Sequence, residues 1–160
     1  MWYFPSMKIT LRKADKNDLE VIQALHALLD GGRKSQYDVS TKAFHIKTKA
    51  PASVKQSDLK TDHFIIAENE DEIVGYVWGS IDKRPYHKLK KMGYIDELFI
   101  AQKYRKKGIA KQLLSELEAF FVQKGCEFIF TNTDWENKNA QSLYSSFGMN
   151  KVTVEFWKEI

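Results

Sequence analysis

The sequence has one cysteine, three prolines and no apolar run approaching the roughly 18 residues that span a bilayer. Each shortage removes a class of protein. The lone Cys126 rules out an internal disulfide framework, and His26, His45, His63 and His87 are too scattered to form a zinc-spaced cluster with it. No metal is expected, and the histidines read as structural or solvent-exposed. The N-terminus lacks the charged-then-apolar layout of a secretory signal, so a soluble cytoplasmic protein with no membrane partner is expected. Neither Gly-x-x-x-x-Gly-Lys-Ser/Thr nor Gly-x-Gly-x-x-Gly occurs, which excludes the P-loop and dinucleotide fingerprints.

What is present suits a globular fold. A chain of 160 residues with 43% hydrophobic content can bury one substantial core, so a single domain over residues 1–160 is expected. Met1 to Ser6 precede a second methionine, Met7, and read as an extension with no function assigned. The net charge of +4 is unevenly spread. Lys83, Arg84, Lys88, Lys90 and Lys91 precede the segment Tyr94 to Ile100, and Lys103, Arg105, Lys106, Lys107 and Lys111 follow it, with Asp96 and Glu97 between. Basic runs flanking an acidic strand suit a polyphosphate ligand beside a site that receives a cation. A nucleic-acid partner would call for a continuous basic stripe and is not expected.

Periodicity supplies the elements. Lys8 to Arg12 reads as a strand; Asp15 then caps a helix, with Asp18 in the capping-box position and Leu19, Ile22, Leu25 and Leu29 at helical spacing until Gly31 and Gly32. Arg33 to Asp62 is polar and poorly periodic, with a short helix over Thr41 to Lys47 and a break at Pro51. His63 to Glu68 and Ile73 to Ser80 read as a hairpin about the acidic turn Asn69 to Glu72, and Tyr94 to Ile100 as a further strand. Gly108 to Lys124 carries Ile109, Leu113, Leu117, Phe120 and Phe121 on one helical face, closed by Gly125 and followed by the strand Glu127 to Thr133. Strand, helix, strand implies a parallel crossover. A second helix, Lys138 to Phe147, ends at Gly148, and Lys151 to Lys158 alternates as a final strand with Val152, Val154 and Phe156 on one face. The expected class is α/β (α+β mixed), a mixed sheet with helices on its faces.

Arg105-Lys106-Lys107-Gly108-Ile109-Ala110 stands where a strand gives way to an amphipathic helix. Successive N–H groups at a helix start attract anions, and Gly108 and Ala110 let the backbone approach a phosphate closely, which suits a pyrophosphate. This segment, preceded by Tyr94-Ile95-Asp96-Glu97-Leu98-Phe99-Ile100 and followed by Asn137-Lys138-Asn139-Ala140, Leu143-Tyr144 and Phe147-Gly148-Met149, resembles the GNAT superfamily of N-acetyltransferases in order and spacing. The resemblance covers roughly residues 63 to 150. It implies a mostly antiparallel sheet in which the strand before the phosphate loop carries a β-bulge and splays from its neighbour, with the pantetheine arm of acetyl-CoA inserted in the gap.

On that resemblance Leu98, Phe99 and Ile100 would pair with pantetheine, an N–H of Leu98 or Phe99 would face the thioester oxygen, and Arg105, Lys106, Lys107, Gly108, Ile109, Ala110 and Lys111 would hold the pyrophosphate. Tyr144 resembles the tyrosine that protonates the departing thiolate; a phenol stays protonated at neutral pH and can still donate. Its other reading is a helix-face aromatic packed on the sheet. Asn137, with Ala140, resembles the residues that contact the CoA arm, and Asn137 reads equally as a helix N-cap. An amine must lose its proton before it attacks, and Asp96 and Glu97 are the candidate acceptors, with Glu97 favoured. Adjacent strand residues point to opposite faces, so regular geometry brings only one into a cleft unless a bulge intervenes. Trp135 reads as a rim or packed tryptophan, and Cys126 as a small hydrophobe without an activating histidine. The expected function is acetyl transfer from acetyl-CoA to a small cationic amine in a ternary complex, with Arg33 to Asp62 as a flap over the acceptor. A protein or peptide amine, or a CoA-binding sensor without catalysis, are the alternatives. Phe156 and Trp157 on the final strand offer a pairing edge for a homodimer.

Overall fold

The protein is described here by a computed structural model that covers residues 7–31, 54–59, 63–83 and 91–153. Strand β1 (Ile9–Lys13) leads through a 3-10 turn (Lys16–Asp18) into helix α1 (Leu19–Gly31), and a short helix α2 (Gln56–Leu59) precedes the hairpin of β2 (Phe64–Asn69) and β3 (Glu72–Lys83). There follow β4 (Lys91–Ile100), a 3-10 turn (Gln102–Tyr104), α3 (Ile109–Gln123), β5 (Phe128–Phe130) and α4 (Lys138–Ser146).

The start of α1 is fixed by short-range chemistry. Asp15 accepts from the Asn17 N–H at 2.7 Å while Asp18 accepts from the Asp15 N–H at 2.7 Å, the reciprocal capping box read from the sequence. Asp18 does more than cap. Both its oxygens receive Arg12 at 2.8 Å, and the same guanidinium reaches Glu68 at 2.6 Å, so one arginine ties β1, the helix entry and β2 together. Those bonds hold the Asp18 carboxyl below its usual range, although burial pulls the other way.

The sheet runs β1-β2-β3-β4-β5, antiparallel through β4 and parallel between β4 and β5, with α3 as the crossover. Because helices cover both faces, β2 reads as an unbroken apolar run. Ile65 and Ala67 join the core under α3 with Val77, Ile95, Leu113, Leu117 and Phe121, whereas Phe64 and Ile66 join a second core under α1 with Ile22, Tyr76 and Phe99. Complete burial of side chains such as Phe121 and Leu113 stabilises the fold by about 1.5–3 kcal/mol each. Packing of α3 is close: a Cβ at Gly79 would stand 2.7 Å from the Phe121 ring and 2.8 Å from the Tyr94 carbonyl.

Several sequence expectations need correction. The polar segment Arg33 to Asp62 contributes to the core, since Val54 and Leu59 are buried with α1, and Gln23 donates to the Val54 carbonyl at 2.8 Å. The strand expected over Glu127 to Thr133 is only Phe128–Phe130. Lys151, Val152 and Thr153 form no strand, and the remainder of that expected element lies outside the described residues, as do Met1 to Ser6, the helix expected over Thr41 to Lys47, and Arg84 to Lys90. Among the described residues no helix is long and apolar enough to cross a membrane.

Candidate active site

The carboxylates of β4 are placed by a break in strand register. Trp78 of β3 lies opposite Glu97 and Gly79 lies opposite Ile95, which leaves Asp96 as an extra residue, a β-bulge. The side chains confirm the change of phase. Ile95, Leu98 and Ile100 belong to the core under α3, whereas Phe99 belongs to the core under α1. Glu97 shares the α1 face: its Oε2 accepts the Tyr76 hydroxyl at 2.9 Å and lies 3.0 Å from His26 Nδ1. Asp96 bonds to the side chain of Ser80 and is electrostatically coupled to Glu97. Burial, then the neighbouring Glu97 charge, push its carboxyl upward, and Ser80 partly offsets them. Regular alternation would turn the two carboxylates to opposite faces; the bulge, the exception left open by the sequence and implied by the family resemblance, brings both to the α1 side.

Beside them the sheet opens. β4 and β5 pair only over Met92, Gly93 and Tyr94 with Phe128, Ile129 and Phe130, and the Thr131 hydroxyl donates to the Ile95 carbonyl at 2.9 Å where that ladder ends. From Glu97 to Ile100, β4 is paired to β3 on one side and to no described residue of β5 on the other. A gap between parallel strands with exposed backbone polar groups can accept an extended, strand-like ligand.

At the far end of β4 the chain turns into α3. Lys106 has φ 60° and Gly108 φ 81°, so left-handed residues point successive amides into one concavity, the geometry of an anion nest. Gly108 precedes the helix with no side-chain cap, and the first turn of α3 contains no acid, so its amides and dipole remain available to an anion. Lys106, Lys107 and Lys111 are exposed around it. Arg105 bends back instead: its Nε donates to the Ile100 carbonyl at 2.8 Å and its guanidinium lies 5.9 Å from the Phe99 ring centre. Ile109 is buried and Ala110 half-buried, so both serve here by backbone and packing.

Helix α4 follows β5 and meets α3, where Lys111 donates to the Ser146 carbonyl at 3.3 Å. Asn137 is the N-cap of α4, accepting the Ala140 N–H at 3.1 Å, so the capping reading holds for its side-chain oxygen. Tyr144, one helical face along, packs against the core under α3 and bonds to the side chain of Thr131; burial raises its phenol above the ordinary value. Trp135 is a rim residue, 70% exposed, with Lys138 Nζ 4.4 Å from its ring centre. Cys126 is half-buried, and burial pushes its thiol upward, away from the thiolate a nucleophile needs.

Sequence reasoning missed His26 and Tyr76. A signal was available for the histidine, which stands four residues after the fully buried Ile22 and so shares its core-facing stripe on α1.

The arrangement defines an α/β protein able to hold an extended, phosphate-bearing ligand between parted strands, with two carboxylates and a phenol beside it. The chain belongs to the Acetyltransferase (GNAT) family, whose model matches residues 33–149. An N-alpha-acetyltransferase from Sulfurisphaera tokodaii is 28% identical over 97 residues, covering 57% of this chain and 58% of that protein. N-alpha-acetyltransferase 30 from Xenopus laevis is 32% identical over 78 residues, covering 49% and 28% respectively. The chain thus spans less than two thirds of these curated relatives. In fold it is similar to an aminoglycoside N-acetyltransferase solved in complex with CoA, with a TM-score of 0.71 and 21% identity over 98% of this chain and 99% of that one.

Proposed function

We propose that this protein is a single-domain, acetyl-CoA-dependent N-acetyltransferase that acetylates a small cationic amine by direct attack. The observation that carries the reading is the parting of β4 from β5 directly before the nest at Lys106 and Gly108. An extended arm between the strands would lead a pyrophosphate to those amides, and Leu98, Phe99 and Ile100 would offer it their backbone. Lys106, Lys107 and Lys111 would neutralise the phosphates, while Asn137 and Ala140 would border the arm from α4. The acetyl carbonyl would receive an N–H from Leu98 or Phe99 as negative charge develops on its oxygen, a contact worth about 3 kcal/mol of barrier.

The acceptor enters on the α1 face, where Asp96 and Glu97 attract a cation. Its ammonium loses a proton to Glu97, the free amine attacks the thioester carbonyl, the C–S bond breaks, and Tyr144 donates its proton to the departing sulfur. Asp96 supplies a second negative charge at the entrance. The paired carboxylates and the fold-level likeness to an aminoglycoside acetyltransferase support a small cationic acceptor. A peptide α-amine is the second reading, supported by the N-alpha-acetyltransferase relatives.

The test is release of CoA thiol from acetyl-CoA with spermidine, an aminoglycoside, free amino acids and peptides bearing a free α-amine or a lysine. Turnover with a polyamine or aminoglycoside supports the reading, turnover confined to the α-amine peptide replaces its acceptor, and no release alongside acetyl-CoA binding points to a sensor. Glu97→Gln should abolish most turnover; retained turnover there together with inactivity of Asp96→Asn would move the base to Asp96.

A further inference from the structure

One polar cluster near the carboxylates is not required by the reaction just described. Oε2 of Glu97 is met by the Tyr76 hydroxyl from β3 and by Nδ1 of His26 from α1. All three are withdrawn from water: Tyr76 is fully buried as a residue, and the side chains of His26 and Glu97 are 8% and 12% exposed. Burying a carboxylate demands compensating donors, yet here both described contacts fall on the same oxygen. That arrangement does more than compensate. It pins the carboxyl group in rotation and directs Oε1, the oxygen without a described donor, as the one left to take a proton.

We propose that His26 is a positioning residue for acetyl transfer: through Nδ1 it holds Glu97 in the orientation from which the carboxylate accepts the acceptor amine's proton. The inference rests on the reading that Glu97 is that proton acceptor. An ionised carboxylate offers only lone pairs, so Nδ1 carries the hydrogen in this contact and donates it, as the Tyr76 hydroxyl does. Donors to a carboxylate favour its charged form. Among the described residues, the groups that face Glu97 are Tyr76 and Trp78 on β3, Asp96 on β4 and His26 on α1. Removing the histidine donor leaves the Tyr76 hydroxyl as the one described donor to Oε2, so the carboxyl group is held less firmly in the orientation that presents Oε1.

The experiment uses the full chain, saturating acetyl-CoA and the amine from the panel above that gives the fastest thiol release. Turnover against pH is measured for wild type, Glu97→Gln, His26→Leu and His26→Asn, with melting temperatures for all four. The side-chain amide introduced by His26→Asn reaches the place of Nδ1–H, so that variant restores the donor without an imidazole. In His26→Leu, kcat/KM for the amine should fall about tenfold, part of the ~10²–10⁴ that a placed base supplies. The KM for acetyl-CoA, measured separately by varying its concentration, should be unchanged. His26→Asn should recover most of the wild-type rate. A His26→Leu profile that overlays wild type while Glu97→Gln is inactive overturns the positioning role alone. A folded His26→Asn as impaired as His26→Leu overturns it too, because a restored donor then restores nothing. Full activity of Glu97→Gln, or no thiol release with any amine, removes the reading on which the inference stands.

Discussion

Replacing Tyr144 by phenylalanine separates chemistry from packing. The ring packs on the core beneath α3 and stays in place in Tyr144→Phe, so the variant loses only the hydroxyl and its bond to Thr131. A lost hydrogen bond of this kind costs about 1 kcal/mol, which for a chain of this size lowers the melting temperature by about 2–4 °C. Acetyl-CoA affinity should remain within about twofold, because the proposed contacts to the cofactor are backbone amides and lysines. The effect on kcat should be far larger. General acids contribute about 10²–10⁴-fold, and a thiolate leaves comparatively easily because thiols are acidic, with a pKa of about 8.5. The expected loss therefore sits at the low end, near 10²-fold. Burial raises the phenol above 10.0, so the acid stays protonated and competent as pH rises to that value, and wild-type kcat should show no falling limb below it. Pre-steady-state thiol release and calorimetric titration with acetyl-CoA measure the two quantities separately. Wild-type turnover in Tyr144→Phe would refute the role outright, and a parallel loss of affinity and rate would make the residue a wall of the cofactor gap.

Gly108→Val forces a β-branched residue to φ 81° at the nest, a conformation disfavoured by about 1–2 kcal/mol, and should weaken acetyl-CoA binding by tenfold or more with the sheet intact by circular dichroism. Arg12→Ala should cost about 1–2 kcal/mol in urea unfolding, below the ~3–5 kcal/mol of a fully buried pair because Arg12 is 37% exposed. Asp18 has a folded-state value depressed below 3.8, so its contribution is present above that pH and is lost as pH falls through the lower, folded value; Asp18→Asn should flatten the acid limb of stability in that window. Gly79→Val should destabilise by about 1–3 kcal/mol through collision with Phe121, measured by thermal melting.

Elements defined by local chemistry were legible in the sequence. The Asp15–Asp18 capping box, the hairpin around Glu70 and the amphipathic α3 depend on residues a few positions apart, and each appears where its pattern placed it. The nest was legible for the same reason, since Gly108 and its basic neighbours are contiguous. Features depending on distant partners were not. Val54 and Leu59 lie in a polar stretch whose composition hides that they fill the core under α1. His26 and Glu97 are 71 residues apart, and nothing local announces that they meet. A bulge in β4 was legible through the family resemblance, but that it falls at Asp96 and gives the two carboxylates a shared face depends on β3 pairing out of step with β4, which no single strand records.

The extra residue in β4 also makes this strand a reading frame. Before Asp96 the odd-numbered positions Gly93 and Ile95 look toward α3; beyond it the even-numbered Leu98 and Ile100 do. Each half of the strand stays in phase with the cores because the bulge absorbs the intervening residue. Excising Asp96 would remove the bulge and leave Ile95 and Phe99 on their present faces, whereas pairing Asp96 into the ladder would exchange the faces of every residue on one side of it, sending Phe99 toward α3 or Ile95 toward α1. A substitution at Asp96 removes one carboxylate, and a deletion removes the bulge with it while the rest of the strand keeps its frame.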